Sequence, residues 1–472
     1  MDERAGLTEK IRARALELGF DEVGVSPAGP LGRDDYYLAW LGRGFAGEMD
    51  YLQRNLEPRL DPRAALPGAR SIVSVALNYY PGDHESAARP GAAAGLAPGA
   101  TGNGVGGRGP GRASANRARV DGVGAGPDDM SGAVAGVGGI GAGKADANGD
   151  GPGASAADPG AGGWSLSGRV ARYAWGSDYH AEIRERLEAL AAFMRDLGGP
   201  EARTRLAVDT SALLERELAS RTGIGWFGKN TNLVSTRLGM WCFLGEILTT
   251  LELAYDLPHP DRCGSCTRCV EACPTEALTP HTMDATRCIS YLTIEHRGSI
   301  PRALREGIGD WVFGCDLCLE VCPWNRFARP SEDPMVRGRV PGGRLDAEGL
   351  LRMSEEEFRR QFRGTALTRA KRRGLQRNAA VVLGNLGDPT AVPALVEALG
   401  SPDPLVRGHA AWALGQIGGA TAEQALRQTM EREEDAEVRE EIGLALEAAA
   451  ARQRGGVGQA EPGERVEQAV PA

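Results

Sequence analysis

The chain has 472 residues, 42% of them hydrophobic and 25% charged, and a formal net charge of -9. These values are typical of a soluble globular protein of roughly two to four domains. No apolar run reaches the roughly eighteen residues that a membrane-spanning helix needs.

The N-terminal segment and the cysteine content together indicate a cellular compartment. MDERAGLTEKIRARALELGFDEVG, at the start of the sequence, is charged and amphipathic and lacks the apolar core of a secretory signal. We therefore expect the chain to stay in a reducing cytoplasm, where its nine cysteines remain thiols or bind metal and do not form disulfides.

A long insertion interrupts the first predicted domain. The run ARSIVSVALNYY before it predicts a buried strand, and GRVARYAWGSDYHAEIRERLEALAAFMRDLG after it leads into an amphipathic helix. Residues 83–165 are almost entirely Gly, Ala, Pro, Asp and Ser, which bury too little surface to offset the entropy of ordering. We interpret 83–165 as a disordered insertion without chemistry, between two parts of one domain at 1–82 and 166–255.

The segment RLAVDTSALLERELASRTGIGWFGKNTNLVST, residues 205–236, has the features of a ligand-binding loop. It predicts a short strand that ends at Asp209, followed by a helix that Thr210 or Ser211 caps and that runs through Glu217. Glycines beyond the helix would let the backbone approach a large ligand, and two aromatic residues would offer it a flat apolar surface. These residues are Gly223, Gly225, Gly228, Trp226 and Phe227. Ordinary turn chemistry explains such a glycine-rich segment equally well.

Eight of the nine cysteines lie in two motifs and at one position between them. CGSCTRCVEACP, residues 263–274, has the C-x2-C-x2-C-x3-C-P spacing of bacterial ferredoxins, whose fourth cysteine binds the other [4Fe-4S] cluster. CDLCLEVCP, residues 315–323, lacks one cysteine, which Cys288 can replace. We therefore predict a first tetrad of Cys263, Cys266, Cys269 and Cys322, and a second tetrad of Cys273, Cys288, Cys315 and Cys318. Structural zinc is the alternative, although it favours two separated C-x2-C pairs. Cys242, the ninth, lies in an apolar run and is interpreted as buried packing.

The C-terminal third combines a basic strip with an internal repeat. The strip RRQFRGTALTRAKRRGLQRN, residues 359–378, holds eight cations and no acid, which favours a polyanion such as nucleic acid over a merely solvated helix face. NAAVVLGNLGD recurs about 31 residues later as HAAWALGQIGG and more faintly as EIGLALEAAA. That period predicts a short HEAT-like stack that leans on the preceding domain. We assign 331–455 to a basic linker plus these repeats and 456–472 to a disordered tail.

These motifs together resemble the epoxyqueuosine reductases, cobalamin-dependent iron-sulfur enzymes of queuosine synthesis in tRNA. Besides the eight cysteines, the resemblance is carried by GEMDYLQRN, RLDPRAALPGARSIVSVALNYY, RYAWGSDYH, VDTSALLERELA, GIGWFGKNTNL, CISYLTIEHRG and GTALTRAKRRGLQRNAAVVLGN. It covers nearly the whole chain apart from the insertion and the tail. It implies a multidomain α+β fold, with an α/β cobalamin-binding domain, a ferredoxin-like double-cluster domain at 256–330 and C-terminal HEAT-like repeats that help to bind tRNA.

The resemblance also implies a reaction and its residues. Epoxyqueuosine at the wobble position of the anticodon is reduced to queuosine, the last step of its synthesis, by electrons that pass through both clusters to cobalamin. Asp209 is implied as the proton donor, which requires its carboxyl group to be partly protonated; the alternative is a helix N-terminal carboxylate. The residues implied around cobalamin are Arg59, Tyr173, Asp209, Asn230, Thr231, Leu233 and Ser290. For RNA, the resemblance implies Arg297, and the basic strip adds Arg369, Lys371, Arg372 and Arg373.

Cobalt ligation and the alternative functions complete the expectations. Many corrinoid proteins use a D-x-H-x-x-G histidine, but Ile183 stands where that glycine belongs, so we expect a base-off cobalamin without a histidine ligand. His180 is then a surface or packing residue. We also expect a monomer that takes electrons from a donor of unknown identity. The alternatives are a corrinoid reductive dehalogenase, which usually carries an export signal, and a non-catalytic ferredoxin-type electron carrier with a helical interaction scaffold.

Overall fold

The computed structural model describes residues 3–82 and 165–456, with side chains through residue 452. The predicted disordered insertion, except for its last residue, and the predicted tail from 457 onward lie outside the described residues. No helix in the described ranges is long and apolar enough to cross a membrane.

The described chain alternates helices and short strands as far as residue 346 and is helical thereafter. The helices are α1 (Glu3–Glu17), α2 (Asp34–Gly42), α3 (Leu56–Leu60), α4 (Tyr179–Gly198), α5 (Glu215–Ser220), α6 (Arg268–Glu271), α7 (Ile289–Ile294), α8 (Arg302–Arg305), α9 (Leu317–Glu320), α10 (Ala347–Arg352), α11 (Glu355–Phe362), α12 (Lys371–Leu386), α13 (Val392–Ala398), α14 (Pro404–Ile417), α15 (Ala420–Arg432) and α16 (Ala436–Gly456). The strands are β1 (Glu22–Pro27), β2 (Ser71–Asn78), β3 (Ser167–Val170), β4 (Thr204–Ala207), β5 (Trp226–Phe227), β6 (Leu233–Val234), β7 (Cys242–Thr249), β8 (Leu278–Thr279), β9 (Thr282–Met283), β10 (Trp311–Phe313) and β11 (Arg344–Asp346).

A four-stranded sheet in the order β1-β2-β7-β4 forms the centre of the N-terminal half. Every residue of the predicted strand β2 is buried, because α1 and α4 pack on one face of the sheet and α5 on the other. The apolar residues of α4 recur at helical spacing, from Ile183 to Met194, as the amphipathic pattern predicted. All three strand pairs are antiparallel, so this half is α+β. The expectation of an α/β domain was wrong in that respect, since no parallel strand-helix-strand unit builds the sheet.

A second sheet joins parts of the chain that the sequence placed in separate domains. It has three strands in the order β10-β3-β11. Strand β3, which follows the insertion, pairs in parallel with β10 and antiparallel with β11. The residues directly after the insertion therefore lie with the cluster-bearing part of the chain, whereas α4 and β4 return to the first sheet.

The C-terminal helices form the predicted repeat stack. Helices α12, α14 and α16 pack side by side, and α13 and α15 lie outside them. The repeated glycines allow this close approach: a Cβ at Gly384 would lie 2.9 Å from Ala413 Cα, and one at Gly415 would lie 2.7 Å from Ala445 Cα. The stack leans on the preceding region as predicted, because Asn378 Nδ2 donates to the carbonyl oxygens of Thr293 and Val312 at 2.8 and 2.9 Å.

Candidate active site and cluster centres

The eight motif cysteines lie in one region of the fold. All eight are half-buried, on or beside the packed short helices α6 and α9 and the N-terminus of α7. Burial, followed by the neighbouring first-tetrad thiols, raises the pKa of Cys322 to about 11. In the second tetrad, burial and the neighbouring thiols Cys288 and Cys273 raise the pKa of Cys318. Burial likewise raises the pKa of Cys315, which lies beside Cys318 and Cys288.

Polar groups from the rest of the chain face these cysteines. Trp226 Nε1 donates to Cys263 Sγ at 3.4 Å, and the backbone N–H of Ala277 donates to Cys273 Sγ at 3.4 Å. Donors of this kind favour the thiolate form that binds iron. Within the described ranges, no three Cys, His, Asp or Glu side chains are arranged to hold a single metal ion.

Cys242 agrees with its predicted packing role, whereas the glycine-rich segment does not form the predicted ligand cradle. Cys242, the first residue of β7, is half-buried, and burial raises its pKa to about 12, which agrees with a packing role. The glycines, however, make room for the protein's own backbone: a Cβ at Gly225 would lie 2.3 Å from the carbonyl oxygen of Val234, and one at Gly223 would lie 2.9 Å from that of Leu257. Trp226 is buried against Trp324 and Cys263 and does not offer an open surface.

Asp209 lies in a loop between β4 and α5, and the predicted strand and helix boundaries were wrong here. The strand ends at Ala207 and the helix begins at Glu215, without a side-chain cap from Thr210 or Ser211. Asp209 adopts a φ of 44°, a left-handed conformation that is uncommon for a residue with a side chain. Its backbone N–H donates to the carboxylate of Glu215. Asp209 is therefore not a helix N-terminal carboxylate, and tertiary contacts hold the loop.

The Asp209 carboxylate forms hydrogen bonds with the first two residues of α4. Its Oδ2 accepts from Tyr179 OH at 2.8 Å and lies 3.1 Å from His180 Nε2. The other ring nitrogen of His180 lies 2.8 Å from Asp178 Oδ1, and Asp178 also caps α4. His180 is thus fixed between two carboxylates, and the prediction that it is only a surface or packing residue was wrong.

These contacts determine the protonation of the pair. Burial opposes charge on His180, but its bonds to Asp178 and Asp209 prevail and raise its pKa to about 9. Partial burial raises the pKa of Asp209, but the bonds from His180 and Tyr179 outweigh it and hold that pKa below its usual value. At neutral pH the proton therefore resides on His180, and the expected partly protonated Asp209 is replaced by an imidazolium-carboxylate pair.

Aromatic rings connect this pair with the second tetrad. Tyr179 stacks on His180 at a centroid distance of 4.1 Å, and Tyr173 meets Tyr179 edge-on at 6.1 Å. Tyr173 also lies 6.2 Å from Phe313, two residues before Cys315. Burial and the charge of Asp209 raise the pKa of Tyr173, which keeps it neutral.

The other residues implied around cobalamin occupy two sides of this region. Arg59 is 6% exposed; its Nη2 donates to the carbonyl oxygen of Tyr51 at 3.3 Å, and its buried Nε has no partner in the described chain. On the cysteine side, Asn230 Nδ2 donates to the carbonyl oxygen of Cys318 at 3.2 Å, and Ser290 forms a hydrogen bond with Cys288. Two further residues, Thr231 with a φ of 65° and the buried Leu233, follow Asn230.

Fewer cations of the basic strip are available to bind a polyanion than the sequence indicates. Three of its cations pair with carboxylates that lie far away in sequence: Arg369 with Glu295 at 2.8 Å, Arg372 with Glu355 at 3.2 Å and Arg373 with Asp403 at 3.2 Å. Arg377 is 1% exposed and donates to backbone carbonyl groups, so it is structural. Within the described ranges, the exposed strip cations without an ion-pair partner are Arg360, Arg363 and Lys371.

One of the residues predicted to contact RNA, Arg369, lies near a tyrosine ring on which Asp209 also acts. The Arg369 guanidinium lies 5.7 Å from the centroid of the Tyr51 ring, and the charges of Arg369 and Asp209 both act on Tyr51. Arg297 is exposed, and its Nη1 donates to the carbonyl oxygen of Ala370 at 3.2 Å. Arg369 and Asp209 therefore both lie within electrostatic range of Tyr51, whereas Arg297 packs against Ala370.

Ferredoxin-type cysteine motifs packed on short helices place the chain among the iron-sulfur oxidoreductases. Family models agree: "4Fe-4S double cluster binding domain" matches residues 262–325, "HEAT repeats" matches 362–447 and "Epoxyqueuosine reductase QueG, DUF1730" matches 155–210. The epoxyqueuosine reductase of Xanthomonas campestris pv. campestris is 34% identical over 412 residues, 87% of this chain and 96% of the relative. That of Pseudomonas aeruginosa is 35% identical over 421 residues, 88% and 95% of the two chains. The chain belongs to the epoxyqueuosine reductase family.

Solved structures of this family superpose on the described fold. An epoxyqueuosine reductase with an epoxyqueuosine-modified tRNA-Tyr stem loop shares 28% identity at a TM-score of 0.73, over 94% of this chain and 99% of that one. The enzyme from Bacillus subtilis, solved with an aspartate catalytic loop swung out of the active site, gives the same values. The resemblance inferred from the motifs is thereby confirmed.

Sequence reasoning missed several residues that contact Asp209. His180 and Tyr179 lie within the RYAWGSDYH motif, and Asp178, as the N-cap of α4, holds the backbone N–H of His180. That capping pattern is visible in the sequence and would have fixed the orientation of the helix start. Glu215 and Glu246 gave no such signal, because a glutamate on a short helix or strand usually faces solvent.

Proposed function

We propose that this chain reduces epoxyqueuosine in tRNA to queuosine, with electrons passing through two [4Fe-4S] clusters to cobalamin. Removing the epoxide oxygen as water breaks two C–O bonds, forms one C=C bond and consumes two electrons and two protons. The observation that carries the proposal is the position of the Asp209–His180 pair, between the rings that lead to the second tetrad and the basic groups near Tyr51.

The first tetrad would bind one cluster and the second tetrad the other. The chemistry of the donor set fits, because eight half-buried thiols are divided between two groups that lie beside each other. Besides burial, the charge of Cys269 raises the pKa of Cys318, as do the charges of Cys288 and Cys273 in its own tetrad. The two groups therefore adjoin, and electrons would have a short path between them.

Cobalamin would bind near Asp209 and the second tetrad. The supporting observation is the buried guanidinium of Arg59, whose unpartnered Nε implies a polar group that the chain does not supply. Arg59, Tyr173, Asn230, Thr231, Leu233 and Ser290 would hold the group. When bound, cobalamin supplies a strongly reducing and nucleophilic metal centre. His180 is engaged by two carboxylates, which agrees with a base-off cobalamin without a histidine ligand.

The Asp209–His180 pair would donate a proton to the opened epoxide. A proton moves from His180 Nε2 to Asp209 Oδ2, which presents it to the substrate oxygen. Tyr179 OH keeps Oδ2 oriented, and its ring, stacked on His180, excludes water from one side of the imidazole. This proton transfer then needs no further carboxylic acid.

The tRNA would approach from the side of Arg297, Arg369, Lys371, Arg372 and Arg373. The relative bound to a modified stem loop supports RNA as substrate. Lys371 is the freest of these cations, whereas Arg369, Arg372 and Arg373 would exchange carboxylate partners for phosphate. We also propose a monomer and the domain division given by the sequence, with β3 moved to the cluster-bearing part.

The test is anaerobic reconstitution with iron, sulfide and cobalamin, followed by mass analysis of nucleosides from tRNA that carries epoxyqueuosine. We expect the native chain to remove one oxygen only with cobalamin present and Asp209→Asn to lose that activity while retaining cobalamin. Asp196→Asn, an exposed aspartate of α4, is the matched control and should behave like the native chain. Two clusters without cobalamin uptake and an unchanged nucleoside would favour the electron carrier, and dehalogenation of an aryl halide without nucleoside reduction would favour the dehalogenase.

A further inference from the structure

Two carboxyl groups lie behind Asp209 and have no assigned role. Glu246 on β7 stands opposite Ala207 of β4, two residues before Asp209. Glu246 is 0% exposed, and neither of its carboxylate oxygens has a hydrogen-bond partner in the described chain. Glu215, at the start of α5, accepts from the backbone N–H of Asp209 and lies within hydrogen-bonding reach of Glu246.

Few positive charges face this carboxyl pair. The charged or titratable groups acting on Glu215 are Asp209, Glu246, Arg216, His180 and Tyr179, and those acting on Glu246 are Glu215 and Asp209. Two adjacent carboxylates in such surroundings repel each other and lose hydration. Burial, and then the neighbouring acid, raise the pKa of Glu246 well above its usual value.

One proton shared by Glu215 and Glu246 would relieve the repulsion between their carboxylates. An O–H···O bond between Glu215 and Glu246 removes the repulsion and gives a partner to a Glu246 oxygen that otherwise has none. Across the sheet, Ser74 of β2 is in register with Glu246, and its buried hydroxyl also has no partner in the described chain. Paired residues of neighbouring strands project from the same face of the sheet, so Ser74 and Glu246 are neighbours.

The proposed reaction needs a second proton, which this pair can supply. The proposed deoxygenation consumes two protons, whereas the Asp209–His180 pair carries one. After that proton is spent, the pair bears a net negative charge and must be reprotonated before the oxygen leaves as water. Tyr179 OH also contacts Asp209, but burial and the charge of Asp209 raise the pKa of Tyr179, so it keeps its proton. Glu215 adjoins Asp209 through a direct hydrogen bond to its backbone, so the carboxyl pair is a nearby internal source of the second proton.

We propose that Glu215 and Glu246 hold one proton in common and return it to the Asp209–His180 pair, supplying the second proton of the reaction. The inference rests on the proposed function. Both glutamates act through Asp209 and do not touch the substrate, so they are positioning residues. The electrons for the same turnover come through the clusters, and the glutamate pair recovers its proton from solvent afterwards.

Infrared difference spectra test the shared proton without any turnover. The reconstituted native chain is compared at neutral pH with Glu246→Gln and with Glu215→Gln. We expect the native-minus-Glu246→Gln spectrum to show the loss of a protonated carboxylic C=O band. Loss of carboxylate bands alone in both variants would overturn the inference, whether or not the chain acts on epoxyqueuosine.

Single-turnover deoxygenation by the pre-reduced enzyme tests the role of that proton. We expect both variants to slow by on the order of 100-fold, which is typical of lost proton transfer. In Glu246→Gln the alkaline limb of the rate should move to lower pH, because Glu215 loses its acidic neighbour. Glu22→Gln, a buried glutamate of β1 bonded to Ser235, is the control and should retain the native rate and pH profile. Native rates and pH profiles in both variants would overturn the inference, whereas an inactive native chain would refute the proposed function.

Discussion

The coupling between His180 and Asp209 allows a quantitative prediction. The pKa of His180 rises from 6.5 to about 9, and at roughly 1.4 kcal/mol per unit this is about 3 kcal/mol of preference for the charged ring. Asp178 and Asp209 share that effect, and because the Asp209 side chain is 59% exposed, solvent screens its part. We therefore expect Asp209→Asn to lower the pKa of His180 by about one unit, or ~1 kcal/mol.

Carbon-13 labelling of the histidine Cε1 positions measures this shift directly, since the chain has only six histidines. Asp196→Asn on the same helix should leave the His180 titration unchanged. Because folding raises this pKa, the stability that His180 contributes is complete below its unfolded value and is lost as the pH rises toward 9. In Asp209→Asn the loss should be complete at lower pH. An unchanged His180 titration in Asp209→Asn would refute the imidazolium-carboxylate pair.

Two further predictions concern the C-terminal helices. Gly415→Ala should destabilise the chain by about 1–3 kcal/mol, because its Cβ would lie 2.7 Å from Ala445 Cα and push α14 from α16. Denaturant unfolding measures this loss of stability. The control is Gly443→Ala, where the nearest side-chain atom is 3.8 Å away, and it should be neutral or slightly stabilising. Equal destabilisation by both alanines would contradict the packing argument. Lys371→Ala should weaken tRNA binding and reduce the salt dependence of binding by about one charge. Arg359→Ala should change binding less, because the Arg359 cation pairs with Glu355 at 2.9 Å. Both effects are measured as tRNA affinity across a series of salt concentrations.

The features that sequence could predict depend on residues close together in the chain. Cysteine spacing predicted a double-cluster domain, which the matching family model confirms, because the C-x2-C-x2-C-x3-C-P motif is specific to such domains. The helical repeat was equally visible, since Gly384 and Gly415 recur in the same local pattern and permit close helix packing. In both cases a neighbourhood of a few residues fixes the geometry.

The features that sequence could not predict depend on partners far apart in the chain. His180 reaches Asp209 across 29 positions, because the sheet brings β4 beside the start of α4. The basic strip loses much of its charge to Glu295, Glu355 and Asp403, which no run of cations reveals. Glycine content likewise indicated a ligand cradle, whereas Val234 and Leu257 occupy that space.

The position of Asp209 explains why the site needs an irregular loop. A regular strand would have continued along β7 past Glu246, and a capped helix would have taken the carboxylate as its own N-cap. The left-handed turn at Asp209 instead directs the side chain to Tyr179 and His180 while its backbone N–H faces Glu215. One residue thereby contacts a charged proton donor with its side chain and the half-buried Glu215 of the carboxyl pair with its backbone. Asp209→Asn would preserve the backbone bond and change only what the side chain does, namely the proton path and the charge beside His180, so this substitution separates chemistry from loop structure.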